Sequence, residues 1–323
     1  MVIDATRRKS LVAAAITVAV TALGGIAVPA SAATGDSSTG DSSTGHSSTG
    51  HSSTTAVVLA AGLRGANEVP VAGGPAVGDK DGAALEFIRV KGDKVTVAVT
   101  WRGTGRPTDL HIHQGAKGTN GGIKIDFGKL LKTAKGHSVT GTVKVTDKAL
   151  LKQLTTDPGA FYANLHTAEF PGGALRGQLH TVTTVSDLKN GGFLASVVTG
   201  KQIYECKPAD GGGYAFAQRD VGARLGGGIR HSFTAPNSGT PQWVAPDGTA
   251  VTGAVLTKTA NGTGNIPELD LKATRTGKKH GLLARTGEIL RLNTVGGVAP
   301  AGTCTPGAVV GVPYRADYVF VQH

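Results

Sequence analysis

Lys94-Val95-Thr96-Val97-Ala98-Val99-Thr100-Trp101 alternates apolar and polar positions. A period of two sends Val95, Val97, Val99 and Trp101 to one side of an extended strand, a pattern that no amphipathic helix satisfies. Ile123-Lys124-Ile125-Asp126-Phe127 and Val139-Thr140-Gly141-Thr142-Val143-Lys144-Val145 repeat the alternation. Turn signals at Lys91-Gly92-Asp93 and Thr119-Asn120-Gly121-Gly122 fall between them. One insert is helical: Thr146 or Asp147 can cap a short helix that buries Leu150, Leu151 and Leu154 and stops before Asp157-Pro158-Gly159. With 49 Gly and 14 Pro in 323 residues, turns are frequent, yet this is short of a disordered composition and carries no collagen period. The expected fold class is all-β, with two antiparallel β-sandwich or barrel-like domains.

The N-terminal residues read as an address. Arg7, Arg8 and Lys9 precede an apolar stretch from Leu11 to Val28, and Ala30-Ser31-Ala32 supplies small residues for cleavage. Residues 1–32 are therefore expected to be a signal peptide, exported by the general or the twin-arginine route. Residues 33–55 follow as a Ser/Thr/Gly-rich linker, with Gly-Asp-Ser-Ser-Thr and Gly-His-Ser-Ser-Thr each occurring twice. It has almost no apolar surface to offset the entropy of ordering, and as a flexible coil of about 20 residues it reaches about 25 Å. His46 and His51 in it can bind a metal only weakly. No lipid-attachment Cys and no hydrophobic C-terminal tail are evident, and no apolar run after the signal is long enough to span a bilayer. The expected location is extracellular, at most loosely associated with the cell wall.

Residues 56–182 hold the alternating segments described above. A second β domain is expected over 189–323, after the break at Lys189-Asn190-Gly191-Gly192, with strands near Val197–Cys206 and Tyr314–Val321. Cys206 and Cys304 both lie there, and an even pair in an exported chain is most simply one disulfide; two buried free thiols are the alternative.

His111-Ile112-His113 is the sharpest local signal for chemistry. A strand places residues i and i+2 on one face, so both imidazoles can converge on one ion while Ile112 enters the core. His166 follows on a second predicted strand, sharing a face with Tyr162 and Asn164. Three imidazoles with an open fourth position suit zinc or copper. Equally, these histidines can be hydrogen-bonded polar residues inside a sandwich. Glu68 and Arg176 can pair across neighbouring strands or orient a histidine from behind, as can Asn164. In the second domain His231 and Trp243 mark a possible site, alongside their plainer reading as a satisfied histidine and a core tryptophan.

Several function classes find no support. Lys and Arg outnumber Asp and Glu by 33 to 22, a formal +11, but the charge is diffuse and not interleaved with stacking aromatics, so no nucleic-acid partner is expected. Leu225-Gly226-Gly227-Gly228-Ile229 lacks the Lys-Ser/Thr pair of a phosphate loop and reads as a turn. No nucleophile-elbow motif appears. Removing residues 1–32 takes away three positive charges and Asp4 and leaves +9, enough to attract anionic polymers in a salt-sensitive way.

Spaced motifs carry a resemblance. Leu63-Arg64-Gly65-Ala66-Asn67-Glu68-Val69-Pro70, His111-Ile112-His113-Gln114-Gly115 with Thr119-Asn120-Gly121-Gly122, Tyr162-Ala163-Asn164-Leu165-His166-Thr167 and Pro171-Gly172-Gly173-Ala174-Leu175-Arg176-Gly177-Gln178-Leu179 resemble a CHRD domain over about residues 58–181. That family, named from the animal protein chordin and common in exported bacterial proteins, implies a β-sandwich without an established enzymatic activity, and its His positions fall on His111, His113 and His166. The same His111–Gly121 stretch is similar to the copper-ligand strand of Cu,Zn superoxide dismutase, although the His- and Asp-rich zinc loop and domain disulfide of that enzyme are missing. Gln202-Ile203-Tyr204-Glu205-Cys206, Pro241-Gln242-Trp243, Val295-Gly296-Gly297-Val298-Ala299-Pro300 and Val312-Pro313-Tyr314-Arg315-Ala316-Asp317-Tyr318 resemble the DUF3455 family over roughly residues 195–321.

The sequence thus points to an exported two-domain surface or matrix interaction module that binds anionic polymer or protein. The enzyme-class alternative is a histidine-bound copper or zinc centre with dismutase-like or hydrolytic activity.

Overall fold

The computed structural model describes residues 55–183 and 185–323; the expected signal peptide and all but the last residue of the linker, with His46 and His51, lie outside them. The alternating segments become β1 (Val57–Arg64), β2 (Ala83–Lys91), β3 (Lys94–Arg102), β4 (Pro107–Gln114), β5 (Ile123–Asp126), β6 (Ser138–Lys144), β7 (Phe161–Thr167), β8 (Leu175–Gln178) and β9 (His180–Val182). All nine join one antiparallel sheet of order β5-β4-β7-β8-β1-β2-β3-β6, with β9 also on β1. Rather than two facing sheets, a single sheet curls around its own core. Val95, Val97, Val99 and Trp101 meet Leu59, Leu63, Ile88 and Ile112 there, as period two requires. Helix α1 (Lys148–Thr156) starts where Asp147 accepts the Leu150 N–H, and it buries Leu151 and Leu154, with Leu150 at the margin.

The second body comprises β10 (Gly192–Pro208), β11 (Tyr214–Leu225), β12 (Arg230–Phe233), β13 (Pro241–Val244), β14 (Ala250–Thr259), β15 (Glu268–Arg275), β16 (Thr286–Gly296) and β17 (Val309–Gln322). Each pairs with the next, and β10 pairs with β17, so the sheet closes into an eight-stranded barrel without free edges. Side chains including Trp243, Leu271, Ile289, Tyr318 and Phe320 fill its interior. Cys206, late in β10, is bonded to Cys304 before β17, with Cα atoms 5.9 Å apart. The Gly226–Gly228 run is the β11–β12 turn, with Gly227 at φ +72°, a left-handed conformation that favours glycine.

Several strands are apolar on both faces because the two bodies share a third core. Val58, Ala60, Leu85, Phe87, Ala98 and Val182 of the curled sheet meet Leu290, Leu292, Val319 and Val321 of the barrel, with Val185 and Leu188 of the connection sealing the seam. Fully burying such a side chain contributes about 1.5–3 kcal/mol. Polar contacts fix the register: Arg64 forks onto Asp317 at 2.9 and 2.6 Å, Lys117 pairs with Glu268 at 2.7 Å, and Asn67 donates to Asn293 at 2.9 Å. The described residues consequently group as one compact unit. Among the described residues no helix is long and apolar enough to cross a membrane.

A candidate metal centre on the curled sheet

Strand alternation places Ile112 in the core and His111 and His113 on the opposite face of β4. The β4–β7 register sets His111 opposite Asn164, His113 opposite Tyr162 and Asp109 opposite His166, which makes His166 a diagonal neighbour of His111. On the other side β5 brings Asp126 opposite His111. The three histidines therefore gather outside the apolar core: one nitrogen of each lies within 4.8 Å of the others. His111 Nδ1 is 3.3 Å from His166 Nε2.

Two of the rings are oriented by backbone. His113 donates its Nδ1–H to the Gly121 carbonyl at 2.9 Å, and His166 donates its Nδ1–H to the Pro171 carbonyl at 3.0 Å. Each donation fixes the tautomer and leaves a lone pair on Nε2; that of His113 is buried without a partner. His111 Nε2 faces Asp109 and Asp126 oxygens at 3.8 and 3.7 Å, which favours N–H there and turns the Nδ1 lone pair toward His166. At 3.3 Å, His111 Nδ1 and His166 Nε2 can share either a proton, in the Nδ1–H tautomer of His111, or a cation. Burial, then the charge of His166, lowers the pKa of His111 against the pull of the two aspartates, and burial likewise lowers that of His113. Both shifts disfavour the doubly protonated, cationic rings. With metal–nitrogen bonds of about 2.0–2.1 Å at a tetrahedral angle, two ligand nitrogens sit about 3.3–3.4 Å apart, which is the spacing found between His111 and His166.

The surroundings differ in part from the sequence expectation. Arg176 on β8 and Glu68 attract each other electrostatically but form no close ion pair among the described residues; Arg176 donates to the Ala116 and Thr119 carbonyls and to Asn120, and its guanidinium lies 3.5 Å from the Tyr162 ring centroid. It holds the 115–122 loop, whose Gly121 carbonyl orients His113, and so reaches the histidines only through that loop. Tyr162 in turn stacks on His113, centroids 4.9 Å apart. Glu68 follows a short 3-10 turn rather than lying on a strand. Its carboxylate accepts the Asn164 amide at 3.4 Å, and burial pushes its pKa up to about 7. Asn164, opposite His111 across the strands, makes no hydrogen bond to a histidine among the described residues, and its Oδ1 is buried and unpartnered, as is Glu68 Oε1. Sequence reasoning omitted Asp109 and Asp126. Asp109 was readable, being two residues before His111 on the same face, whereas Asp126 depends on the β4–β5 register.

In the barrel, His231 and Trp243 sit opposite each other on β12 and β13 with rings 4.4 Å apart and 3° from parallel. They are far in sequence and in sheet from the three histidines and belong to a separate site.

Residues 59–179 match the CHRD domain family, and residues 223–322 match the family described as protein of unknown function (DUF3455). The second match covers the later part of the stretch over which the resemblance runs, from the end of β11 onward. No curated protein and no solved structure is significantly similar to the chain.

Proposed function

We propose that this chain, a CHRD domain followed by a DUF3455 domain, is an exported protein whose first domain holds one copper or zinc ion on His111, His113 and His166. The observation that carries this reading is the meeting of three ring nitrogens within 4.8 Å of one another, with His113 and His166 oriented by backbone carbonyls and the Nε2 of His113 buried without a partner. Three imidazoles with a remaining open position match both ions. Such an ion supplies Lewis-acid or redox chemistry. The chain's part is to hold the rings: Gly121 and Pro171 orient two, Asp109 and Asp126 place carboxylates 3.8 and 3.7 Å from the third, and Arg176 ties down the loop beside them. The test is a titration of chelator-treated full-length protein with Cu(II) and Zn(II), read by calorimetry and metal content. One equivalent is expected, abolished by the His111→Ala/His113→Ala double variant with unchanged circular dichroism. No stoichiometric uptake of either ion overturns the reading.

A second reading concerns location. The charged residues before position 55 are Asp4, Arg7, Arg8, Lys9, Asp36 and Asp41, which cancel, so the whole excess of 11 positive charges resides on the described residues. That concentration of charge supports retention on acidic cell-wall or matrix polymers or proteins, by attraction screened over a Debye length. Retention on such material is expected to fall between dilute buffer and about 0.5 M salt. Retention that ignores salt contradicts it.

A further inference from the structure

The barrel encloses a cavity of about 230 Å³ that plays no part in the metal reading. It opens at the end where β12 turns into β13 and β14 into β15, with Lys258 and Gly239 at its rim. One wall is aromatic: the stacked pair of His231 and Trp243, with Tyr318 edge-on at 5.3 and 5.6 Å. Aliphatic side chains such as Leu271 and Ile266 complete the apolar lining.

Two polar groups of this cavity are donors in want of an acceptor. Trp243 Nε1 and Gln202 Nε2 are buried with no partner, on side chains only 1% exposed. A buried N–H left unpaired is costly, which is the mark of a site completed by something else. Arg291 gives its Nε and Nη2 to the Pro267 carbonyl, and neither it nor Lys258 has a carboxylate within ion-pair distance among the described residues. No Asp or Glu lines the cavity at all. His231 donates Nδ1–H to the Gln242 carbonyl, and burial holds the ring neutral by pushing its pKa down to about 3, so it brings no charge to the cavity. Flat aromatic wall, unpaired N–H donors, two uncompensated cations and no anion together describe the complement of a planar ring that carries a negative charge. The volume lies below the roughly 300–1,000 Å³ of drug-sized sites, which limits the ligand to a single ring system.

We infer that the barrel binds a small aromatic carboxylate, its ring against the His231–Trp243 wall and its charge toward Arg291 and Lys258. The inference is independent of the metal centre and survives or fails without it. The experiment titrates benzoate, and separately its neutral isostere benzamide, into the full chain, read by calorimetry and by tryptophan fluorescence. Saturable one-to-one binding of benzoate is expected, with benzamide at least tenfold weaker. Arg291→Gln is expected to weaken benzoate at least tenfold. Because Arg291 also ties Pro267, Lys258→Gln serves as a second variant: Lys258 is exposed and makes no hydrogen bond or ion pair among the described residues, so its loss tests charge without disturbing the fold, and a weakening of a few fold is expected. Benzoate that fails to saturate at several millimolar, equal affinity for benzamide, or benzoate affinity untouched by both substitutions overturns the inference.

Discussion

Glu86 is the residue whose chemistry the fold changes most plainly. It lies on β2 between Ala84 and Ile88 on the core-facing side, and neither carboxylate oxygen has a partner. Burial alone pushes its pKa up to about 8 from 4.5. The folded chain keeps that proton while the unfolded chain releases it, so the native state binds more protons between about pH 4.5 and 8. Stability is therefore full below pH 4.5 and falls as pH rises toward 8, with this residue contributing a slope of about 1.4 kcal/mol per unit. In Glu86→Gln that contribution should vanish, which urea unfolding at pH 5 and pH 8 checks; an unchanged pH dependence contradicts it. Leu85-Glu86-Phe87-Ile88 conceals this in the sequence. Alternation there invites an outward glutamate, but the barrel covers the Leu85 and Phe87 face, so both sides of β2 are buried.

Among the elements, α1 and the loop over 115–122 make a useful contrast. The helix was legible to within one residue of its cap, Thr146 or Asp147, because capping residues and the leucine spacing are local signals, and the structure selects Asp147. Asp147→Ala should cost about 1 kcal/mol of stability and leave metal uptake unchanged. The loop was legible only as a turn; that its Gly121 carbonyl would orient His113 depended on the Arg176 contacts reaching it from β8. A Cβ at Gly121 would come within 1.6 Å of the Gln114 carbonyl oxygen, so the loop must shift in Gly121→Ala. Metal affinity should drop about 10- to 100-fold, the usual effect of losing a group that orients a ligand. Equal affinities in the two variants would show that the Gly121 carbonyl does nothing for the site.

For the molecule as a whole, the seam between curled sheet and barrel is the deciding feature. Leu292 is 3% exposed within it, and Leu292→Ala should cost about 2–5 kcal/mol. Because the apolar seam is shared, calorimetry should show a single transition in the parent and in the variant, displaced to lower temperature in the latter. Two resolved transitions in the parent would mean that the seam couples the bodies weakly. The Arg64–Asp317 fork and the Lys117–Glu268 pair cross the same seam between residues more than 150 positions apart, a separation at which no sequence pattern operates.

Local rules sufficed for the strands, the helix cap, the disulfide partners and the identity of the three histidines, because side-chain period, capping and residue chemistry act over a few neighbours. Closure of β10 onto β17, curling of the first sheet, and the approach of His166, Asp126 and Gly121 to His111 and His113 came from packing between distant segments. Register is set by which faces become buried, and a face's fate depends on the whole molecule that covers it.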